Sequence, residues 1–242
     1  MKFVNAVKAY FNDRNWNRED MMNPDEIPLH AHKSLKKVYL TLFCALLSST
    51  FGSYLHLIWE AGGLITDLSS VASLLCLYSI SPWRVKRRVV LLMLAAFFFG
   101  ASVGIYTKYF FEIDQSFVVS FLAGAAIGFG TFWFGAMLSR IRIILFIGCL
   151  LYSYAFMYLW FVIASDMIFV DHTVRWMRKV LSVLALFMGY FVIYSQEIVY
   201  NALSDDVNFV NCTFTVFFNL PAIVVHAVRL ELIAQTEHYM QS

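Results

Sequence analysis

Seven long apolar segments occupy nearly all of the chain after residue 37, and they constrain its fold more than any other feature. Each has about the 20 residues that a helix needs to cross a bilayer. Open strand edges cannot persist in hydrocarbon, and these segments lack the alternation of barrel strands. We therefore predict an all-α integral membrane protein with seven transmembrane helices. The segments run approximately over Val38–Ile58, Gly62–Ser81, Val89–Tyr109, Ser116–Leu138, Ile143–Ala164, Val180–Val199 and Phe209–Val228.

The composition excludes two broad classes of protein. The chain is 60% hydrophobic and 14% charged, whereas about 25% of the residues in a typical soluble domain are charged, which argues against a soluble enzyme. A net charge of +2 is too balanced for a nucleic-acid binder. The four cysteines have no metal or disulfide spacing, and motifs for a nucleophile elbow, HExxH, a P-loop or dinucleotide binding are absent. We expect no catalytic residue, no cofactor and no metal site.

Charge divides the chain into three parts and suggests its orientation. Residues 1–37 are predicted to form a cytosolic tail in which His30 and His32 are solvated, 38–228 the transmembrane domain, and 229–242 a short C-terminal tail. With the N-terminus in the cytosol, nine Lys and Arg residues near the spans face the cytosol and five face the opposite side. One of the nine is Arg88, which is assigned to the loop between spans two and three.

Three Asp, Glu or Lys residues lie within the predicted spans and are candidate functional residues, because a charge at the bilayer centre is costly. Asp67 in span two and Lys108 in span three are predicted at similar depth. They either share a salt bridge or lie separately in interfacial water. Glu197, near the cytosolic end of span six, is either an acceptor inside the bundle or a solvated carboxylate.

Proline and glycine residues predict two features of helix packing. Pro221 in span seven removes a backbone donor and should kink the helix. Gly100 with Gly104, and Gly124 with Gly128, form GxxxG spacings that allow close approach of backbones, so spans three and four should pack tightly.

Three stretches of the sequence resemble the Bax inhibitor-1 family, particularly its plant members. The first is LKKVYLTLFCALLSSTFGSYLHLIWEAGG, at Leu35–Gly63. The second is GASVGIYTKYFFEIDQSFVVSFLAGAAIGF, at Gly100–Phe129, followed by AMLSRIR. The third is SQEIVYNALSDDVNFVNCTFTVF, at Ser195–Phe217, which is similar to the end of the family's sixth span, its acidic loop and its seventh span.

This resemblance implies a protein of the endoplasmic reticulum membrane that suppresses programmed cell death and modulates calcium leak, with the seventh helix at the centre of the bundle. The implied partners are the lipid bilayer and other membrane proteins of cell-death or calcium pathways, and calcium would be a permeant ion rather than a cofactor. Family members are described with a cytosolic C-terminus, whereas seven crossings from a cytosolic N-terminus place it on the other side. A calcium-permeable leak channel and, further off, an intramembrane hydrolase remain alternatives.

The sequence departs from the family at two positions that matter for mechanism. The resemblance implies a proton-sharing pair of aspartates in spans six and seven, but Tyr194 and Asn219 stand there. Two close carboxylates titrate as a coupled pair, whereas a phenol and an amide do not titrate near neutrality. We therefore expect pH gating to be lost, with Tyr194, Asn219 and the carbonyl of Phe217 freed by Pro221 forming an uncharged polar cluster.

Overall fold

The computed structural model describes residues 22–60, 62–113, 115–167, 173–204 and 208–219. Within these residues the chain is almost entirely helical, and each predicted span coincides with a helix over its described part, as expected for an all-α membrane protein. The helices are α1 (Leu29–Trp59), α2 (Leu64–Ser79), α3 (Val85–Ile113), α4 (Gln115–Leu138), α5 (Cys149–Met167, entered through a π-helical turn at Ile144–Gly148), α6 (Thr173–Ser204) and α7 (Phe209–Asn219).

Four described helical segments are long and apolar enough to cross a bilayer. They are Leu29–Trp59, Val85–Tyr109, Ile144–Ala164 and Leu181–Leu203, and three shorter apolar helices are Leu64–Ser79, Leu122–Leu138 and Phe209–Asn219. At 1.5 Å per residue the 31 residues of α1 extend about 46 Å, well beyond a hydrocarbon core of about 30 Å. The first turns of α1, up to Lys36 and Lys37, therefore lie outside its apolar span, which begins at Val38.

Helices α1 and α3 form the closest pair in the bundle, and glycines make this approach possible. A Cβ atom added at Gly100 would lie 1.9 Å from the carbonyl oxygen of Ser49 in α1. One added at Gly52 of α1 would lie 2.1 Å from the carbonyl oxygen of Phe97 in α3. The backbones are in contact along this seam because neither glycine has a side chain.

The two GxxxG motifs serve close packing, but the expected pairing of spans three and four with each other through these glycines is wrong. Gly104 of α3 faces the side chain of His56 in α1. Gly124 and Gly128 of α4 face Leu184 and Met188 of α6. The spacing identifies a face that tolerates close contact, but it does not identify the neighbouring helix.

Aromatic rings fill the centre of the bundle where α1, α4 and α6 meet. The ring of Phe191 in α6 lies 4.8 Å from Tyr39 and 5.0 Å from Phe132, measured between centroids. Phe129 packs against the same ring at 5.1 Å. All four side chains are fully buried, and such tilted and edge-to-face pairs add to the gain from burying apolar area.

Contacts between distant segments place several helix ends at one end of the bundle, which we call the basic end. The Nζ atom of Lys37 in α1 lies 5.6 Å from the ring centroid of Phe209, the first residue of α7. Arg88 of α3 hydrogen-bonds Asn211 of α7. His32 of α1 lies beside Ser139, which follows α4. The starts of α1, α3 and α7 and the end of α4 therefore lie at the same end of the bundle, as helices of alternating direction require.

The bundle extends further toward the N-terminus than the predicted transmembrane domain, which begins at residue 38. Helix α1 begins at Leu29 rather than near Val38. Ile27, Ala31 and Leu35 are buried in the same core as the spans. The apolar stripe of α1 continues back through these positions, so the described residues before 38 are packed against the bundle; residues 1–21 lie outside the described part.

Candidate functional site

The position that matches the family's first aspartate, Tyr194, lies at the interface between α6 and α7. Its half-buried ring stacks near Tyr190 at 6.1 Å between centroids. On α7 its nearest polar neighbours are Cys212 and Thr215. The hydroxyl of Thr215 donates to the carbonyl of Asn211, 3.0 Å away within the same helix. Tyr194 is therefore surrounded by uncharged groups of the neighbouring helix.

Asn219, the second matching position, is exposed and forms no hydrogen bond with Tyr194 in the described part of the chain. It lies one helical turn beyond Thr215, about 6 Å further along α7. The expected direct contact between Tyr194 and Asn219 is therefore not formed. Pro221 and residues 229–242 lie outside the described residues, so the kink stays a prediction.

Glu197 lies one turn from Tyr194 on α6, is half-buried, and faces both Tyr194 and Cys212. Between them on the chain, Ser195 and Gln196 are buried. The hydroxyl of Ser195 donates to the carbonyl of Phe191 at 2.6 Å, whereas the side-chain carbonyl of Gln196 accepts no hydrogen bond from the described part of the chain. This part of α6 thus places several polar groups inside the bundle.

The structure does not join Asp67 to Lys108. The ammonium of Lys108 pairs with Glu60, which ends α1, and Asp67 accepts a hydrogen bond from Ser102. Ser102 lies six residues before Lys108, about 9 Å along α3, so the two charges are at different levels. Asp67 and Lys108 both lie at an exposed rim of the bundle. Of the two alternatives, a shared salt bridge or separate environments, the geometry corresponds to separate environments.

His56 organises the connection between α1 and α2 at this rim. Its Nδ1 atom accepts a hydrogen bond from the backbone N–H of Gly62 at 2.6 Å. Glu60, directly after α1, adopts a left-handed conformation with φ of 52° and donates its N–H back to the carbonyl of His56. The buried imidazole therefore holds the turn that places Glu60 beside Lys108.

Arg88 is an unexpected feature of the basic end. It was assigned to a cytosolic loop, but it lies in the first turn of α3 and only 3% of its surface is exposed. Its Nη2 atom donates to the side-chain carbonyl of Asn211 at 2.7 Å, and its Nε and Nη1 atoms form no hydrogen bond with the residues that the structure describes. The run RVKRR is typical of a solvated loop because it is rich in basic residues, and the first three of these are exposed. Only the helical register distinguishes the fourth, Arg88, as buried.

The solvated environment expected for His32 is wrong, because the side chain is 3% exposed. Its Nε2 atom lies 3.2 Å from the carbonyl oxygen of Ser139. His32, Leu35 and Tyr39 follow the helical spacing i, i+3, i+7 of a buried stripe, and this pattern could have placed His32 inward. Its neighbour His30 is exposed.

The described residues contain no cluster of three or more His, Cys, Asp or Glu side chains that could hold a metal ion. All four cysteines are free. The features that remain are an all-helical bundle, a basic end, and a polar interface between α6 and α7. Together they define a multi-pass α-helical membrane protein.

Comparison with known proteins identifies the family. The sequence model of the family described as "Inhibitor of apoptosis-promoting Bax1" matches residues 31–235. Bax inhibitor 1 of Arabidopsis thaliana is 34% identical over 233 residues, which cover 95% of this chain and 94% of that protein. Bax inhibitor 1 of Oryza sativa subsp. japonica is 34% identical over 217 residues, covering 90% and 87%. The chain belongs to the Bax inhibitor-1 family, which confirms the resemblance seen in the sequence.

A mammalian relative is more distant. Bax inhibitor 1 of Rattus norvegicus is 28% identical over 145 residues, which cover 58% of this chain and 61% of that protein. No solved structure gives a significant match to the chain.

Proposed function

We propose that the protein is an endoplasmic-reticulum membrane regulator that suppresses programmed cell death and contributes to calcium homeostasis. The observation that carries this proposal is the match to Bax inhibitor 1 of two plants across nearly the whole chain. The continuous helical bundle agrees with it, since the described helices extend through most of the matched region. The role is non-enzymatic and needs no cofactor.

The proposed orientation places the basic end, and with it the N-terminus, in the cytosol. Support comes from the grouping of Lys37, Arg88 and Arg140 at this one end of the bundle. Positive charge near the ends of spans favours the cytosolic side. Partners in cell-death or calcium pathways would then meet the bilayer-embedded bundle and its cytosolic end.

The proposed mechanism does not include a proton-operated gate at the family's aspartate positions. On the neighbouring helix α7, Tyr194 faces Thr215 and Cys212 rather than a carboxyl group. An unperturbed phenol titrates near pH 10 and an amide not at all, so protons near neutrality would not change the charge of either matching residue. The protein would then act mainly through contacts with membrane proteins.

A second candidate is a calcium-permeable leak channel, and the buried polar groups of the bundle favour it. The side-chain carbonyl of Gln196 is buried and forms no hydrogen bond with the described residues. Oxygen atoms of this kind are ligands that calcium accepts. If they line a path, Gln196→Leu lowers calcium efflux from proteoliposomes, whereas Asn201→Leu on the exposed end of α6 does not. Equal efflux from both variants would contradict the channel.

Survival of yeast cells that express Bax tests the main proposal. Cells with the wild-type chain should form more colonies than cells with an empty vector. Gly100→Leu should remove this protection because it forces α1 and α3 apart, and Gly189→Leu, where an added Cβ meets nothing within 4 Å, is the matched control. Immunoblots of microsomes verify equal amounts of each protein. Survival no better than with the empty vector, at equal wild-type expression, would overturn the proposal.

A further inference from the structure

The segment before α1 is held against the loop that follows α4 by main-chain pairing. The N–H of Ile27 donates to the carbonyl of Arg140 at 2.9 Å, and the N–H of Arg142 donates to the carbonyl of Asp25 at 3.2 Å. These bonds form an isolated antiparallel bridge between Glu26 and Ile141. The side chains of Arg140 and Glu26 add an ion pair of 2.7 Å. We call these contacts the N-terminal clasp.

The ion pair contributes little to holding the clasp closed. Arg140 and Glu26 are 42% and 60% exposed, and an exposed pair of this kind is screened by water and salt. The clasp therefore depends on its two main-chain hydrogen bonds and on the buried residues directly behind it, Ile27, Ala31 and His32. A change in any of these buried groups should open it.

His32 is the titratable group among these buried residues. Its Nε2 atom faces the carbonyl of Ser139, which can only accept a hydrogen bond, so Nε2 carries the proton in the closed clasp. Its Nδ1 atom is buried and forms no hydrogen bond with the described residues. A proton added at Nδ1 would place a positive charge and a donor without a bonded acceptor in a buried position, which is costly.

The charges around His32 oppose that proton. Lys36 faces it from the next turn of α1, and Arg140 from the loop after α4. The carboxylate of Glu26 in the clasp is already paired with Arg140. Burial is the largest cause that lowers the pKa of His32, followed by Lys36, and the carbonyls of Ser139 and Ala136 oppose the shift only in part.

We propose that His32 is a proton-sensitive latch: it holds the N-terminal clasp closed while its imidazole is neutral, and it releases Asp25–Ile27 from Arg140–Arg142 when it takes up a proton. The released histidine reaches water and titrates with its ordinary pKa near 6.5, above that of the buried form. The stabilising contribution is therefore fully present above about pH 6.5 and is lost as the pH falls below it. This device is independent of the family's aspartate positions and of the proposed role in cell death.

Hydrogen exchange of the full chain in lipid nanodiscs tests the latch, through the amides of Ile27 and Arg142. After correction for the intrinsic exchange rate, lowering the pH from 7.5 to 5.5 should raise the opening constant about three- to tenfold, and uptake of one proton limits the rise to about tenfold. His32→Gln keeps a donor for the Ser139 carbonyl but cannot titrate, so it should abolish the rise. His30→Gln, at the exposed neighbouring histidine, should retain it.

A second variant leaves the histidine in place, in case His32→Gln does not fold. Lys36→Met removes a positive charge that opposes the proton, so the opening constant should rise less over the same pH range. The proposal is overturned if the wild-type opening constant does not change with pH, or if the rise persists in His32→Gln. A rise lost in His30→Gln, or undiminished in Lys36→Met, would also contradict it.

Discussion

Replacing Gly100 by alanine should separate α1 from α3 and destabilise the whole bundle. The added Cβ would lie 1.9 Å from the carbonyl oxygen of Ser49 and 2.7 Å from its Cα atom. Carbon–oxygen contacts of this kind are normally about 3.3 Å or longer, so the helices must move apart by about 1.4 Å. Because the obstacle is backbone and cannot rotate away, we expect a loss of about 3 kcal/mol, the upper part of the range for overpacked sites.

Gly189→Ala is the matched control because it makes the same chemical change in α6. Nothing lies within 4 Å of the added Cβ, and alanine favours a helix over glycine by about 1 kcal/mol, so this variant should be as stable as the wild type or slightly more stable. The free energy of unfolding is measured by SDS titration in mixed micelles, followed by circular dichroism. The reasoning is refuted if Gly100→Ala and Gly189→Ala have the same unfolding free energy.

Two further predictions concern paired side chains at opposite ends of the bundle. Asn211→Ala removes the hydrogen-bond partner that the buried guanidinium of Arg88 has among the described residues. We expect a loss of about 2 kcal/mol in the free energy of unfolding, and a much smaller loss in an Arg88→Met background, so strict additivity in the double-mutant cycle would contradict this contact. Glu60→Gln should alter thermal stability slightly at low salt and not at high salt, because its pair with Lys108 is exposed. Asp67→Asn should leave that salt dependence unchanged, and a changed dependence would couple Asp67 to Lys108 after all.

The helices could be predicted from the sequence because the bilayer imposes a simple rule on segment length and polarity. Val89–Tyr109, for example, lies entirely within α3, although that helix extends to Val85 and Ile113. The ends of the helices are less predictable. Outside the bilayer, the burial of a residue in the first turns of a helix depends on its position in the buried stripe and not on the mean hydropathy of the segment. Arg88 and His32 lie in such turns, and both are buried despite their polar side chains.

The partners of individual side chains could not be predicted, because they depend on how each helix is rotated and shifted. Asp67 and Lys108 are at similar predicted depth, but a difference of six residues along α3 gives each a different partner. The sequence does not predict Glu60 as the partner of Lys108, since a residue after the end of a span gives no signal in a hydropathy profile. The resemblance predicts uncharged residues at the family's aspartate positions, but the sequence does not show that Tyr194 faces Thr215 rather than Asn219.

The central claim is that this family member acts without the proton-titrating carboxylate pair that the resemblance implies, so protons should not gate calcium through it. Calcium efflux from proteoliposomes containing the purified chain, measured from about pH 6.5 to 8, tests this claim most directly. We predict an efflux rate that does not change across this range, whether it is near zero or appreciable. A steep change with pH in the unmodified protein would contradict the account and assign the proton-sensing role to other groups, with His32, Glu197 and Asp67 the first to replace.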